Sequence, residues 1–426
     1  MKIGLSRASI TPVNLESVNS LNSDNFISIL DNIYCNIIAL DSNASNALFI
    51  SLDLVWVDNI FCENLINLIK SKFKFKEENI VISATHAHTS PQIVDKFSNC
   101  IFNSDEYRKF LTNVVFKTVG FAIDNMIDGY GKISVSKTSQ NINRRKLIFN
   151  LKSFLRFKRV IANRPNKEGV VDDQIVSIRF YDNNDTPVGM FINFSAHPTL
   201  AKMQSISSDY PGSISNLMIK RHGRLFVTCF FQGFCGNIKP KIIKRNTHNV
   251  GNIGLKFLLN LFDRVAFQKD LNKERIVDYA KAIILELDNP YIVLKFDQIN
   301  IKSIIRKIKL KTNINDSNKG AILRIQILKI GSKFAFIAMN GEIFSEYSVW
   351  IRRQLQKNGI IIMSNGYSGG MIGYIPTSKA IKEGGYEVNG SLELFGMSTG
   401  FSNFIERDIK KTINEILFEL NMLKKL

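Results

Sequence analysis

Apolar and polar positions alternate along this chain in two rhythms, and the rhythm switches between them. Residues 46–57 are an apolar run with Asp53 inside it, and they read as a strand. Residues 60–73 carry Ile60, Leu65, Leu68 and Ile69 at helical spacing, and 79–84 form a β-branched run that reads as a buried strand. Strand, helix and strand of these lengths make a βαβ unit. A second helix is expected over 105–126. Runs at 174–181 and 187–194 flank Asp182-Asn183-Asn184-Asp185, a hairpin turn by composition. Further helices are expected at 211–222, with Pro211 in the first turn, at 256–267, at 274–287 and at 406–426. Strands are expected at 225–231, within 291–310 and 321–330, and at 333–339. Hairpins and βαβ units occur together, so the pattern predicts a mixed α/β fold with parallel and antiparallel pairing.

The polar residues that interrupt this pattern fall where strands end. Two of the five histidines, His86 and His88, stand in Thr85-His86-Ala87-His88-Thr89 just past the 79–84 run. His197 follows the 187–194 run in the same way. Imidazoles at the ends of separate strands suit a metal, because strands hold them rigidly. The same spacing also arises by coincidence. Gly233 and Gly236 punctuate the loop after 225–231, and such loops bring backbone amides close to a ligand. Glu342 follows the 333–339 strand and could complete a metal site.

Composition narrows the class. With 426 residues, 45% of them apolar and 22% charged, the chain can bury a large core, and one large domain is expected over 1–426. The sequence has no run of 18 apolar residues, and Met1 to Arg7 lack a signal-peptide core, which favours the cytoplasm. Five scattered cysteines without a Cys-x-x-Cys read as reduced thiols. The net charge of +19 is high. Part of it is concentrated in 143–164, where Arg144, Arg145, Lys146, Arg156, Lys158, Arg159 and Arg164 interleave with apolar residues. That stretch is expected to be a mobile flap facing substrate or a membrane surface. No nucleic-acid-binding signature accompanies it.

In order along the chain, Arg7-Ala8-Ser9-Ile10-Thr11-Pro12, Asp53, the His86/His88 stretch, Ile142-Asn143-Arg144-Arg145, Val171-Asp172, His197-Pro198-Thr199 and Ser208-Asp209-Tyr210-Pro211-Gly212 are joined by Gly341-Glu342, Gly373-Tyr374-Ile375-Pro376-Thr377 and Gly385-Tyr386-Glu387. This ordered set resembles the catalytic domain of neutral/alkaline non-lysosomal ceramidases and their bacterial relatives. The resemblance implies a zinc amidase. His86, His197, Glu342 and Tyr374 would ligate zinc, and His88 would stand beside the metal water or the leaving amine. Tyr386 would polarise the scissile carbonyl. Arg144 would lie near the substrate, with Arg164 as a rival for that place.

Two departures from the family pattern shape the expectation. Where ceramidases carry Gly-Asp-x-Ser-Pro, this chain has Gly236-Asn237-Ile238-Lys239-Pro240, so Lys239 replaces a catalytic serine. The immunoglobulin-like C-terminal domain of ceramidases is also expected to be missing. The expectation is therefore a cytoplasmic zinc-dependent amide hydrolase, with a peripheral place at the inner membrane surface as an option. Its substrate would be anionic or a glycan precursor, such as an N-acylated amino sugar, rather than ceramide. Two alternatives stand beside it: a metal-dependent ester or lactone hydrolase, and a non-catalytic basic binding protein on the same scaffold.

Overall fold

The computed structural model describes residues 1–18, 25–42, 45–93, 105–150, 158–245, 265–313 and 321–423. Its main sheet has nine strands. Eight run in the order Val227–Gln232, Pro187–Phe194, Gln174–Asp182, Ile127–Lys137, Lys2–Ser9, Tyr34–Ser42, Ser45–Leu52, Ile80–Ala84, and Ile292–Phe296 pairs with Ile127–Lys137 off this path. A second sheet orders Ile301–Lys309, Ile322–Ile330, Phe334–Met339 and Ile361–Asn365. Both sheets mix parallel and antiparallel pairs, as the alternating pattern requires.

The sheets pack face to face through aromatic side chains. The Phe49 ring lies 4.7 Å from Phe191 and 5.4 Å from Phe336, and Phe231 lies 4.8 Å from Phe336. All four rings are fully buried, at contact distances typical of tilted and edge-to-face pairs. On the outer faces lie helices. Asn59–Lys72, capped by Asp58, and Asp105–Asp124 cover one half of the main sheet's outer face, and Asp209–His222 and Lys273–Leu287 contribute to a separate core over the other half of that face.

Three parallel pairs decide where the chemistry can sit. Ser45–Leu52 runs parallel to Ile80–Ala84, Pro187–Phe194 to Val227–Gln232, and Phe334–Met339 to Ile361–Asn365. Open α/β sheets bind ligands outside the carboxyl ends of their strands. Here buried polar residues stitch those ends together across the two sheets. The Asn193 amide donates to the Phe231 and Ser364 carbonyls, and Ser83 Oγ lies 3.1 Å from the Asn365 amide.

Several expected boundaries shift. The 46–57 strand stops at Leu52 because Asp53 turns back: its carboxylate accepts from the Tyr34 amide at 3.0 Å, and its own amide donates to the Tyr34 carbonyl. The 291–310 stretch is two strands, Ile292–Phe296 and Ile301–Lys309. Of the helix expected at 256–267, residues 265–267 form the strand Val265–Phe267, and the rest lies outside the described residues. The terminal helix ends at Glu419. The helix Ser345–Gln356 and the strands Lys2–Ser9, Tyr34–Ser42 and Ile127–Lys137 had no counterpart in the pattern reading.

The basic stretch corrects the flap expectation. Asn141–Asn150 and Lys158–Asn166 pair as antiparallel strands, and Asn141–Asn150 also pairs with Ile238–Pro240. Arg144 and Arg145 at its base are buried. Both pair with the Glu387 carboxylate, 243 and 242 residues further along the chain, which no local charge count reveals. Residues 151–157 lie outside the described residues.

The inter-sheet aromatic cluster is expected to carry much of the stability. Phe49→Ala should cost about 3–5 kcal/mol, read as a lowered denaturant midpoint with an unchanged slope. A loss below about 1 kcal/mol would show that the sheets do not depend on this contact.

Candidate metal centre

His86, His197 and Glu342 each follow the end of a strand in one of the three parallel pairs. His86 stands two residues past Ile80–Ala84 with φ +64°, a left-handed conformation that a histidine adopts at a cost. That turn lets its Nδ1 donate to the Val55 carbonyl at 2.7 Å. His197 follows Pro187–Phe194, and its Nδ1 donates to the Cys235 and Ile238 carbonyls at 2.8 and 3.1 Å. A carbonyl can only accept, so both Nδ1 atoms carry the proton and both Nε2 atoms keep a free lone pair. Outer hydrogen bonds of this kind orient metal-ligating histidines.

The free nitrogens converge. His86 Nε2 lies 3.0 Å from His88 Nε2, and His197 Nε2 lies 3.0 Å from Glu342 Oε2. His86 Nε2 is 3.7 Å from the same carboxylate oxygen. The ligand-capable atoms of His86, His88 and His197 all lie within 4.8 Å of one another. Lone pairs that face each other in a buried space repel unless a proton or a cation lies between them. Nitrogen and carboxylate donors converging from rigid strand ends fit a divalent metal such as zinc. Cys235 is near the site, but burial pushes its thiol up to about 12, which leaves it a poor ligand.

Glu342 is braced on every side. The short strand Glu342–Ile343 runs parallel to Tyr374–Ile375, with Glu342 and Tyr374 as register partners, so the two sit side by side. Tyr367 stacks on His86 with ring centroids 3.9 Å apart and donates to Glu342 Oε2 at 3.3 Å. The Gly236 amide donates to the Ile343 carbonyl, and a Cβ at Gly236 would meet the Glu342 carbonyl oxygen at 2.4 Å. The glycine there permits a close approach of two backbones. Burial raises the Glu342 carboxyl, while His86, Arg144, Tyr374 and Tyr367 pull it back.

Of the two arginines weighed for the substrate side, Arg144 is the one that the structure brings to this centre. Its Nε donates to Glu387 at 2.8 Å, and its terminal nitrogen donates to the Gly236 carbonyl at 2.8 Å and the Tyr374 hydroxyl at 3.1 Å. Arg145 grips the other Glu387 oxygen at 2.6 Å. Two guanidiniums therefore share one buried carboxylate, which the pair holds below the usual range against its desolvation. Arg164 does not join this cluster: it sits on the hairpin, where it donates to the Asn163 carbonyl. Tyr386 stands at the rim, about half exposed, with its ring 5.9 Å from that of Tyr374.

His88 stands directly against the donors expected from His86, His197, Glu342 and Tyr374, its Nε2 3.0 Å from that of His86. Tyr367 and Glu387 are the residues touching the centre that spacing alone did not assign. Glu387 was visible only as part of a motif, and Tyr367 carried no sequence signal. Other family-like stretches are structural supports. The Asp209 carboxylate accepts from the Leu200 and Ala201 amides, and the Tyr210 hydroxyl donates to the Ala196 carbonyl, so both hold the His197 loop. Asp172 receives Ser348 and Arg352 and anchors the Ser345–Gln356 helix. Asn237 caps that helix by accepting from the Ser345 amide. Among the described residues, Cys35, Cys62, Cys229 and Cys235 are buried free thiols, as expected.

Residues 33–253 match the family model for the neutral/alkaline non-lysosomal ceramidase N-terminal domain. The chain belongs to that family. Neutral ceramidases from Oryza sativa subsp. japonica and Arabidopsis thaliana are each 24% identical to it over 198 residues. The matched part is 42% of this chain but only 23% and 24% of theirs. The neutral ceramidase from Pseudomonas aeruginosa shares its fold at a TM-score of 0.73 and 15% identity, covering 100% of this chain and 75% of that one. A ceramidase solved in complex with C2 gives a TM-score of 0.71 at 16% identity, with 100% and 76% covered. The mixed α/β architecture expected from the sequence is the architecture of that family.

The buried imidazoles make the metal-free state sensitive to acid. Burial, the largest influence, lowers His86 to about 3 and holds His88 and His197 well below the ordinary range. The unfolded chain protonates these rings near pH 6.5, and the folded chain does not. Their contribution to stability is therefore complete above about pH 6.5 and is lost as the pH falls toward the folded values, by about 1.4 kcal/mol per pH unit for each ring. Chelator-treated protein should lose unfolding free energy between pH 6.5 and 5, and His88→Asn should flatten that slope. A flat profile in the unsubstituted protein would contradict neutral, buried imidazoles.

Proposed function

We propose that this protein is a zinc-dependent hydrolase that cleaves an N-acyl amide bond, with an anionic substrate such as an N-acylated amino sugar in place of ceramide. The observation that carries the reading is the convergence of three imidazole Nε2 atoms and the Glu342 carboxylate, with contacts of 3.0 Å between His86 and His88 and between His197 and Glu342. Zinc held by His86, His197, Glu342 and Tyr374 would supply a Lewis acid for the scissile carbonyl and a water of lowered pKa.

The protein's own groups account for the rest of the reaction. Held neutral by burial, His88 can take a proton from the attacking water and return it to the departing nitrogen. Tyr386 at the rim can donate its hydroxyl to the developing oxyanion. Arg144, clamped by Glu387, keeps Tyr374 oriented and adds fixed positive charge beside the reacting carbonyl. Because these groups are locked before substrate arrives, little reorganisation remains for the transition state.

The chain covers about a quarter of the curated relatives' length, so the relatives' activity enters here as support for the amidase reading only. The ester-hydrolase alternative shares every one of these groups, and a paired substrate panel separates the two. Zinc-loaded protein should release carboxylate from N-acyl amides, and chelation should abolish it. His88→Ala should retain metal while kcat falls about 10²–10⁴-fold. Turnover of esters alone, or unchanged turnover without metal, would contradict the proposal.

A further inference from the structure

Lys239 occupies a place that the hydrolytic groups do not explain. It lies in the strand Ile238–Pro240, where pairing with Asn141–Asn150 puts it opposite Ile142 and locks its backbone. The carbonyl of the preceding residue, Ile238, accepts from His197 Nδ1, so the lysine is rooted in the wall of the metal centre. Its side chain is more than nine-tenths buried, at 7% exposure, and the expectation that it could simply turn into solvent does not hold. The ammonium lies 5.4 Å from the Phe267 ring centroid, and its charge disfavours protonation of both His88 and His197. Its register partner Ile142 shares one strand face with Arg144, the face that carries Arg144 to the Tyr374 hydroxyl, so Lys239 lies on the side of the sheet that meets the centre.

Nothing among the described residues neutralises it. No carboxylate lies within ion-pair distance of its Nζ and no acceptor takes a hydrogen bond from it, whereas Glu387, the nearest acidic influence, is held by Arg144 and Arg145. Its other charged neighbours, Arg144 and Lys269, are cations. An ammonium set this deep with no protein partner has lost much of its hydration, and a bound anion offsets that loss.

We propose that Lys239 is an oxyanion subsite, and that the substrate carries a carboxylate or phosphate beside its N-acyl group which Lys239 binds. This rests on the hydrolase reading above and names the residue that reads the substrate's charge. Burial first, and then Arg144, pull the Lys239 ammonium down to about 7, so an incoming anion restores a charge that the empty pocket disfavours. A neutral lipid amide offers no such group.

The test has a binding arm and a turnover arm, both on zinc-loaded protein. In the first, inorganic phosphate and acetate are titrated calorimetrically into the unsubstituted protein, Lys239→Met and Lys239→Arg. Phosphate affinity should fall about tenfold or more in Lys239→Met and recover largely in Lys239→Arg. In the second, matched twins are compared: N-acetylglycine with its methylamide, N-acetylglucosamine 6-phosphate with N-acetylglucosamine, and N-acetylsphingosine as a neutral lipid. One anionic member should exceed its neutral twin about tenfold in kcat/KM, and Lys239→Met should erase the advantage mainly through KM. Which pair responds separates a carboxylate from a phosphate. Equal phosphate binding by the unsubstituted protein and Lys239→Met, or preference for the neutral twins or N-acetylsphingosine, would overturn the proposal. Lys239-dependent phosphate binding with no amide turned over would uphold the subsite and sink the hydrolase reading instead.

Discussion

Buried lone pairs that face one another are the constraint on which this structure turns. His86 and His197 each spend their one proton on a backbone carbonyl, so their remaining nitrogens must find a partner in the space they share with Glu342 and His88. Removing such groups from water without a partner is expensive. A cation in that space would turn mutual repulsion into coordination. The left-handed backbone at His86 and the backbone contact at Gly236 are explained by the same demand, since each aims or braces a donor at the centre.

The scaffold's contribution is convergence. Three parallel strand pairs from two sheets end at one place, and the aromatic layer between the sheets keeps those ends in register. Groups further out then hold the inner ones. Glu387 clamps Arg144, Arg144 bonds the Tyr374 hydroxyl, and Tyr374 lies in register with Glu342. This chain of contacts links residues that are more than two hundred positions apart, so the centre is a property of the whole topology.

The βαβ unit at 45–84 and the hairpin turn at 182–185 could be read directly, because turn chemistry and apolar period are local. Strand-end histidines were readable for the same reason. The antiparallel partner strands Lys2–Ser9 and Tyr34–Ser42 were not, since their pairing is set by neighbours far away in the sequence. The basic stretch misled because charge was counted along the chain: Arg144 and Arg145 look like a solvated face until Glu387 is placed between them. Tyr367 was hidden altogether, because stacking on His86 leaves no periodicity behind.

The most direct measurement is zinc K-edge X-ray absorption on purified protein, together with metal content for the unsubstituted chain and for His86→Ala combined with His197→Ala. The account predicts about one zinc per chain, a shell of nitrogen and oxygen neighbours without sulfur, and loss of the metal in the double variant. Absence of bound metal, sulfur in the shell, or full retention of zinc in the double variant would contradict it.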